Sequence, residues 1–546
     1  MADTSDYVTL QVNGIRYLEK APYLYWLTAT SYRIFGQNEF ATRLPVAFGV
    51  LACTVLSVVW AQRAFGRRAA EYSGLFVLTA IGMFLFTRIM IPESWLSFLL
   101  FATLYFFLTA LHFGPGKYGV RWYAGYAFLA LAALTKGLVA LVFIGATAFF
   151  YLLITGEWRR AKEFRIPSGL LLMFAIAAPW HILAGERNPG FYWFYFVNEH
   201  FLRFTGERYP KDYNKLPAWA FWTMHIAWLF PWSLYLPVAV RELWRKFRMR
   251  RFETFEEKTR LICAIYGGLV LLFFSLGTNQ EYYTFPAYLP LLMLIASSLA
   301  AEENASGKTS RWITAEQIVL VAFGTIAAGA LVAGLWTSRN LPYVQDIGEV
   351  LARRGVGDYT LSMSSLFDLT NEAFAALRLP AALAAIALLV GPIVAFVLRN
   401  RRKHLLATWS VGLTAAAFLI AAQIGYVRFE PQLSSKRMAV VLNREMQPSD
   451  KLLIYGDQAF GASLRFYTKR QILLVNGRTN NMWFGSSFPD ALNIFLDDDQ
   501  LLALWNGADR IFLFAPEQHR QEVEQLLPAH RVEVVVSSGK VIYSNR

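Results

Sequence analysis

Charged and polar residues that interrupt apolar sequence are the ones whose chemistry has to be explained. The first are Glu19 and Lys20, in Tyr17-Leu18-Glu19-Lys20-Ala21-Pro22-Tyr23-Leu24-Tyr25-Trp26. An isolated Glu-Lys is most often a plain interfacial pair. Here Pro22 and the rings fix the chain direction just afterwards, and a fixed lysine at headgroup level is a good phosphate partner. Glu93 follows Pro92 and opens an apolar segment. A first-turn acid that complements the helix dipole is its plain reading. Lys136, in Leu134-Thr135-Lys136-Gly137, lies between two apolar segments. A lysine there either snorkels to the surface or neutralises an anion, with equal claim.

The stretch 185–218 is the richest. It runs through an aromatic block into Asn198-Glu199-His200-Phe201-Leu202-Arg203-Phe204, which predicts a second interfacial helix with polar residues near its end. His200 with a distant carboxylate can hold a metal with open positions, although lone histidines are usually not ligands. His181 and His225 are weaker candidates of the same kind. Gly277-Thr278-Asn279-Gln280-Glu281-Tyr282-Tyr283 reads as a tight polar turn. It could be only a hairpin, but Asn279, Tyr282 and Tyr283 are also what a sugar site uses.

The elements that must position these residues are membrane spans. The chain is 56% hydrophobic, 16% aromatic and only 16% charged, with mean hydropathy +0.35. Soluble domains average about a quarter charged residues, so the class is polytopic membrane protein. Apolar segments fall at about 44–62, 70–87, 93–112, 122–135, 137–155, 167–184, 219–240, 259–276, 284–300, 313–336, 380–398 and 405–426, which gives twelve spans. Residues 22–36 suit a helix lying in the interface. The net charge of +14 is explained by basic loops against anionic headgroups, with no nucleic acid as partner. Those loops contain Arg63 to Arg68, Lys117 to Arg121, Arg159 to Arg165, Arg241 to Arg260 and Arg399 to Lys403, and the positive-inside rule assigns them to the cytoplasm. The alternate loops, which carry Glu19, Glu93, Lys136, His200 and Asn279, then share the outer face. Cys53 and Cys263 both sit in apolar segments, so no disulfide framework or cysteine metal site is available.

Beyond residue 427 short β-rich runs, 451–455, 471–475, 510–514 and 531–536, alternate with helical stretches at 432–446 and 516–527. That pattern predicts a small α/β domain outside the membrane. Asp497-Asp498-Asp499 reads as a turn or helix cap. The resulting division is 1–43 as outer loop with interfacial helix, 44–426 as membrane domain and 427–546 as α/β domain. No P-loop, dinucleotide fingerprint or HExxH occurs at the site face. A donor already embedded in lipid, with its phosphate at headgroup level, therefore fits better than a cytosolic nucleotide.

The segments 13–22, Leu134-Thr135-Lys136-Gly137, Pro179-Trp180-His181, Arg187-Asn188-Pro189-Gly190-Phe191 and 198–204 resemble the aminoarabinose transferases that modify bacterial lipid A. The resemblance extends to relatives in the protein mannosyltransferase group and covers nearly the whole chain in order. It implies a GT-C fold in the bacterial inner membrane, with the site and the C-terminal domain facing the periplasm. It also implies transfer of a sugar from undecaprenyl phosphate to lipid A or another envelope acceptor. By the same resemblance Glu19 and His200 are ligands of a divalent metal, zinc being the expectation. Lys20, Lys136 and Arg203 meet the donor phosphate, and Glu93 is the acid at a span start where the family has Asp. Relatives carry a further N-terminal span followed by an Asp-Glu pair, and this chain starts after that point, which leaves Glu93 as its catalytic candidate. Two other readings stay open. One is an O-glycosyltransferase for protein or another glycan; the other is a flippase for lipid-linked sugar, which predicts charges at mid-membrane and internal repeats.

Overall fold

The computed structural model describes residues 1–546 except 115–118, 212–215, 250–251, 278–279, 306–310, 353–369 and 480–481. The chain forms two compact units. One comprises Met1–Leu10, Leu18–Ile326 and Ala387–Leu419; the other comprises Gln11–Tyr17, Ala327–Ile386 and Ile420–Arg546.

Each of the twelve expected segments is helical. Among the described residues eight helices are long and apolar enough to cross a membrane: Glu39–Phe65, Glu93–Phe113, Ile166–Arg187, Phe255–Leu276, Phe285–Asn304, Arg311–Thr337, Arg378–Asn400 and His404–Arg428. A ninth is counted if Ala218–Trp228 and Trp232–Arg248, which meet at a bend of 101°, form one span. The remaining three segments are shorter. Residues 70–87 become Arg67–Thr79 and Ile81–Phe86, broken at an extended Ala80. The other two are Val120–Lys136 and Val139–Thr155, of 17 residues each. The chain is a multi-pass membrane protein.

Burial ranks the helices. The apolar windows of Phe285–Asn304 and Glu93–Phe113 are 83% and 72% buried, whereas Arg311–Thr337 is only 17% buried. Exposed apolar side chains such as Leu171 and Ile326 are at home against lipid, where they would be a liability in water. The helix that starts at Glu93 is thus among the best packed in its unit, so its first residue is held firmly.

The second unit contains a six-stranded sheet of order β5-β4-β3-β6-β8-β7. Its strands are β3 (Lys451–Tyr455), β4 (Ile472–Val475), β5 (Phe495–Leu496), β6 (Ile511–Ala515), β7 (Val532–Ser537) and β8 (Lys540–Ser544). β5, β4, β3 and β6 run parallel, and β8 and β7 are antiparallel additions. Both faces are covered: Leu452 and Ile454 enter one core cluster, Leu453 and Tyr455 the other. Burial on both faces explains why these strands read as continuous apolar runs. Asp497 is the N-cap of helix Asp498–Trp505, in a capping box with Gln500. The hairpin β1 (Gln11–Val12) and β2 (Ile15–Arg16) belongs to the same unit. Asn13, at its turn, donates Nδ2 to the Ile472 carbonyl at 2.8 Å and accepts from Arg465 and Gln471.

Candidate functional site

The site grows from two helix ends. Glu93 is the first residue of its helix after Pro92, and Lys136 is the last residue before Gly137. An acid at a helix N-terminus and a base at a C-terminus each suit the local dipole. The two side chains form an ion pair, with Glu93 2% and Lys136 24% exposed. Glu93 uses Oε1 for this contact, and its Oε2 has no hydrogen-bond partner among the described residues.

Gly137 makes the next placement possible. Its φ is +73°, a region that L side chains avoid, and a Cβ there would lie 2.0 Å from His200 Nε2. His200 therefore packs directly on the turn that ends the lysine helix. It lies in the wide, π-type turn Trp193–Leu202, a distortion that is frequent at functional sites. Its Nδ1 is 2.6 Å from the Tyr195 carbonyl and so carries the proton. Its Nε2 then holds the lone pair, 3.4 Å from the Lys136 carbonyl, which has no proton to give. Burial lowers the His200 pKa, so the neutral imidazole is favoured.

A chain of alternating charge continues from there. Glu19 Oε1 accepts from Arg208 Nη2 at 2.8 Å, and Lys20 Nζ is 3.5 Å from Glu19 Oε2. Arg208 Nε reaches Glu199 Oε1 at 2.7 Å, and Arg203 Nη2 reaches Glu199 Oε2 at 3.0 Å. Arg203 Nη1 also donates to the Tyr283 hydroxyl at 3.2 Å. The Tyr283 ring in turn lies 4.4 Å from Lys136 Nζ, a cation–π contact. Tyr282 stacks edge-on against Tyr283 at 5.1 Å. Glu19, Glu199 and Arg208 are almost fully shielded from solvent, while Lys20 is 39% exposed. Burial lowers the Lys20 pKa, Glu19 raises it, and Arg203 lowers it again. Burial raises the Glu199 pKa against the pull of Arg203. Lys20, Arg203, Arg208 and Lys136 are the cations set among Glu19, Glu93 and Glu199. With Lys20 the most exposed of them, the arrangement can receive an anion.

Of the residues expected from sequence, Glu19, Lys20, Arg203 and Tyr283 thus belong to one network, which reaches Lys136 and Glu93 through the Tyr283 ring. Asn279 lies outside the described residues. His181 is occupied locally, its Nδ1 2.8 Å from the Ala177 carbonyl and its ring stacked on Phe196. His225 packs among Phe221, Trp222 and Tyr288. Arg208 is the residue that sequence reading missed. It sits in a polar loop beside Glu207, and its burial to 5% exposure comes from two buried acids, Glu199 nine residues before it and Glu19 far away in sequence.

The expected divalent ion meets a mixed donor set. His200 has the tautomer of a ligand, with Nε2 bare. Glu19 is already neutralised by Arg208 and Lys20, and among the described residues no group of three His, Cys, Asp or Glu could hold a metal. As arranged, the set does not fit a bound dication.

With this geometry in view, comparison with known proteins is informative. The family model described as dolichyl-phosphate-mannose-protein mannosyltransferase matches residues 19–183. Several curated relatives are undecaprenyl phosphate-alpha-4-amino-4-deoxy-L-arabinose arabinosyl transferases. The one from Serratia proteamaculans is 24% identical over 98% of this chain and 90% of its own length. The one from Edwardsiella ictaluri is 25% identical over 92% and 84%. The match to the one from Aeromonas salmonicida, at 28%, spans about half of each, 55% of this chain and 53% of that relative. The crystal structure of ArnT from Cupriavidus metallidurans bound to undecaprenyl phosphate superposes over 100% of this chain and 91% of that one, with TM-score 0.79 and 24% identity. The fold is therefore that of the multi-span GT-C glycosyltransferases. In sequence the chain is similar to these aminoarabinose transferases over most of its length.

Proposed function

We propose that the chain is a glycosyltransferase that moves a sugar from undecaprenyl phosphate to an envelope acceptor at the outer face of the inner membrane. 4-Amino-4-deoxy-L-arabinose is the sugar that the relatives' names favour, and lipid A is the expected acceptor. The observation that carries the reading is the charge network Lys20-Glu19-Arg208-Glu199-Arg203. It holds Lys20 and Arg203 against buried carboxylates, which supports reading them as hydrogen-bond donors to a phosphate. In the reaction an acceptor oxygen attacks the anomeric carbon, the carbon–phosphate-oxygen bond breaks, and the lipid phosphate leaves with the bonding pair. Lys20 and Arg203 stabilise the charge that gathers on the leaving phosphate, a preorganised electrostatic effect. Lys136 stands behind them, and the free Oε2 of Glu93 is available to orient the acceptor or take its proton. A single displacement inverts the anomeric centre.

Zinc is the finer part of this reading. His200 would offer Nε2, and Glu19 could join only after Arg208 had turned away, so no step is assigned to the ion. The test is sugar transfer in membranes that carry the chain, read as a mass shift of lipid A. Lys20→Ala is expected to lower the rate about 100-fold, in the range of losing one charge-stabilising donor. Purified protein would be assayed for zinc alongside His200→Ala. Transfer unchanged in Lys20→Ala would remove the phosphate assignment, and equal zinc in both proteins would remove the ligand assignment.

A further inference from the structure

Two side chains beside the charge network are incomplete in complementary ways. Tyr195 is 1% exposed, and its hydroxyl has no hydrogen-bond partner among the described residues. A buried donor left without an acceptor costs free energy, so its survival calls for an occupant. His200 Nε2 carries a lone pair, and its contact with the Lys136 carbonyl at 3.4 Å brings no proton.

The fold brings these two groups together. They lie five residues apart in the π-type turn Trp193–Leu202. In an ordinary helix that spacing points side chains well away from each other, whereas here the two rings are 4.8 Å apart. Phe191, stacked at 5.1 Å, and Trp180, edge-on at 6.1 Å, fix the tyrosine ring. Gly137 shows where the polar ends point: a Cβ there would lie 2.0 Å from His200 Nε2 and 2.9 Å from Tyr195 Oη. Both atoms face one spot, over the residue that follows Lys136. His200 is only half-buried, which leaves a ligand a way in.

Hydrogen-bonding capacity narrows the ligand. The phenol needs an acceptor, and Nε2 needs a donor. A phosphate oxyanion accepts but brings no proton, and a protonated amine donates but has no lone pair. A metal ion would take the Nε2 lone pair and leave the phenol proton facing positive charge. A hydroxyl answers both groups at once. Because the spot adjoins Lys136, the part of a lipid-phosphate sugar that reaches it is the ring next to the phosphate.

We propose that Tyr195 and His200 together hold one ring hydroxyl of the transferred sugar, Tyr195 donating to its oxygen and the hydroxyl donating in turn to His200 Nε2. The proposal rests on the transferase reading, and it uses the lone pair that a zinc ion would otherwise occupy. Binding of undecaprenyl phosphate-alpha-4-amino-4-deoxy-L-arabinose and of bare undecaprenyl phosphate to the full chain in detergent tests it. Tyr195→Phe keeps the ring and the backbone carbonyl that holds His200 Nδ1, so the fold is retained. This variant is expected to bind the sugar-bearing lipid about tenfold more weakly, the worth of one hydrogen bond, and the bare lipid as before. Lys20→Ala should weaken both. Among donors with each ring hydroxyl replaced in turn by hydrogen, one should bind wild type and Tyr195→Phe alike. Unchanged affinity of Tyr195→Phe for the sugar-bearing lipid, or an equal loss with the bare lipid, would overturn the assignment. So would a further loss in Tyr195→Phe with every deoxy donor, the mark of a bound water, or zinc that is present in the wild type and lost in His200→Ala. Failure of both lipids to bind the wild type would instead remove the transferase reading, and this one with it.

Discussion

Arg208 shows how the site is held at the scale of single residues. It bridges two buried carboxylates, at 2.8 Å from Glu19 and 2.7 Å from Glu199. Removing one partner of a buried ion pair costs about 3–5 kcal/mol, because the other charge is left uncompensated. Arg208→Ala should therefore lower both transfer activity and thermal stability in detergent, whereas Lys20→Ala, at a half-open position, should lower activity alone. If Arg208→Ala melted at the wild-type temperature, the network would not be the positioning device described. Glu19, Lys20, Glu93, Lys136, His200 and Arg203 were legible because a polar group in apolar sequence is conspicuous. Arg208 was not, since an arginine among Glu207, Tyr209 and Lys211 looks solvated, and only the fold brings it to Glu19, 189 residues away.

Helices and strands were legible to within a few residues where apolar periodicity was strong. The β-runs 451–455 and 510–514 became Lys451–Tyr455 and Ile511–Ala515. The π-type turn around His200 and the break at Ala80 leave no mark in composition, because they are set by packing. β8 was also missed, and it carries a device of its own. Lys540, at its start, is 8% exposed and donates to the carbonyls of Pro431, Gln432 and Ser434 at 2.8, 3.1 and 3.0 Å, closing the end of helix Glu430–Leu433. Burial pulls its pKa from 10.5 down to about 8, against the pull of Asp346 and Glu430. Between those values the unfolded chain binds more protons than the folded one, so stability rises with pH across that window, by at most about 1.4 kcal/mol per unit. The urea midpoint of this unit, followed by Trp505 fluorescence, should climb between pH 8 and pH 10 and should climb less in Lys540→Met. Identical slopes would exclude Lys540 as the source.

At the scale of the whole molecule the question is how often the chain crosses the membrane. Asn13 is bonded to Ile472 at 2.8 Å, so residues 13 and 472 lie on one side and the crossings between them must be even in number. Nine is thereby excluded, while eight, ten and twelve survive, and the two extremes make opposite predictions. They differ at Arg159, which is exposed. If only the eight long helices cross, two crossings precede Arg159, and it shares the side of residue 13. If the bent pair and the three shorter segments cross as well, five precede it, and it lies opposite. The cluster Arg159, Arg160, Lys162 and Arg165 favours the second, because basic loops stay in the cytoplasm. Short spans of 17 residues also remain near the lower limit for crossing. Single cysteines at Thr4, Arg159 and Asp490, probed with a membrane-impermeant maleimide from the periplasmic side, separate the eight-crossing reading from the twelve-crossing one. The native Cys53 and Cys263 are fully buried and give little background. Labelling of Thr4→Cys and Asp490→Cys with protection of Arg159→Cys is what twelve crossings require and excludes eight. Labelling of all three would exclude twelve crossings, with at least one of the short segments before Arg159 then failing to cross.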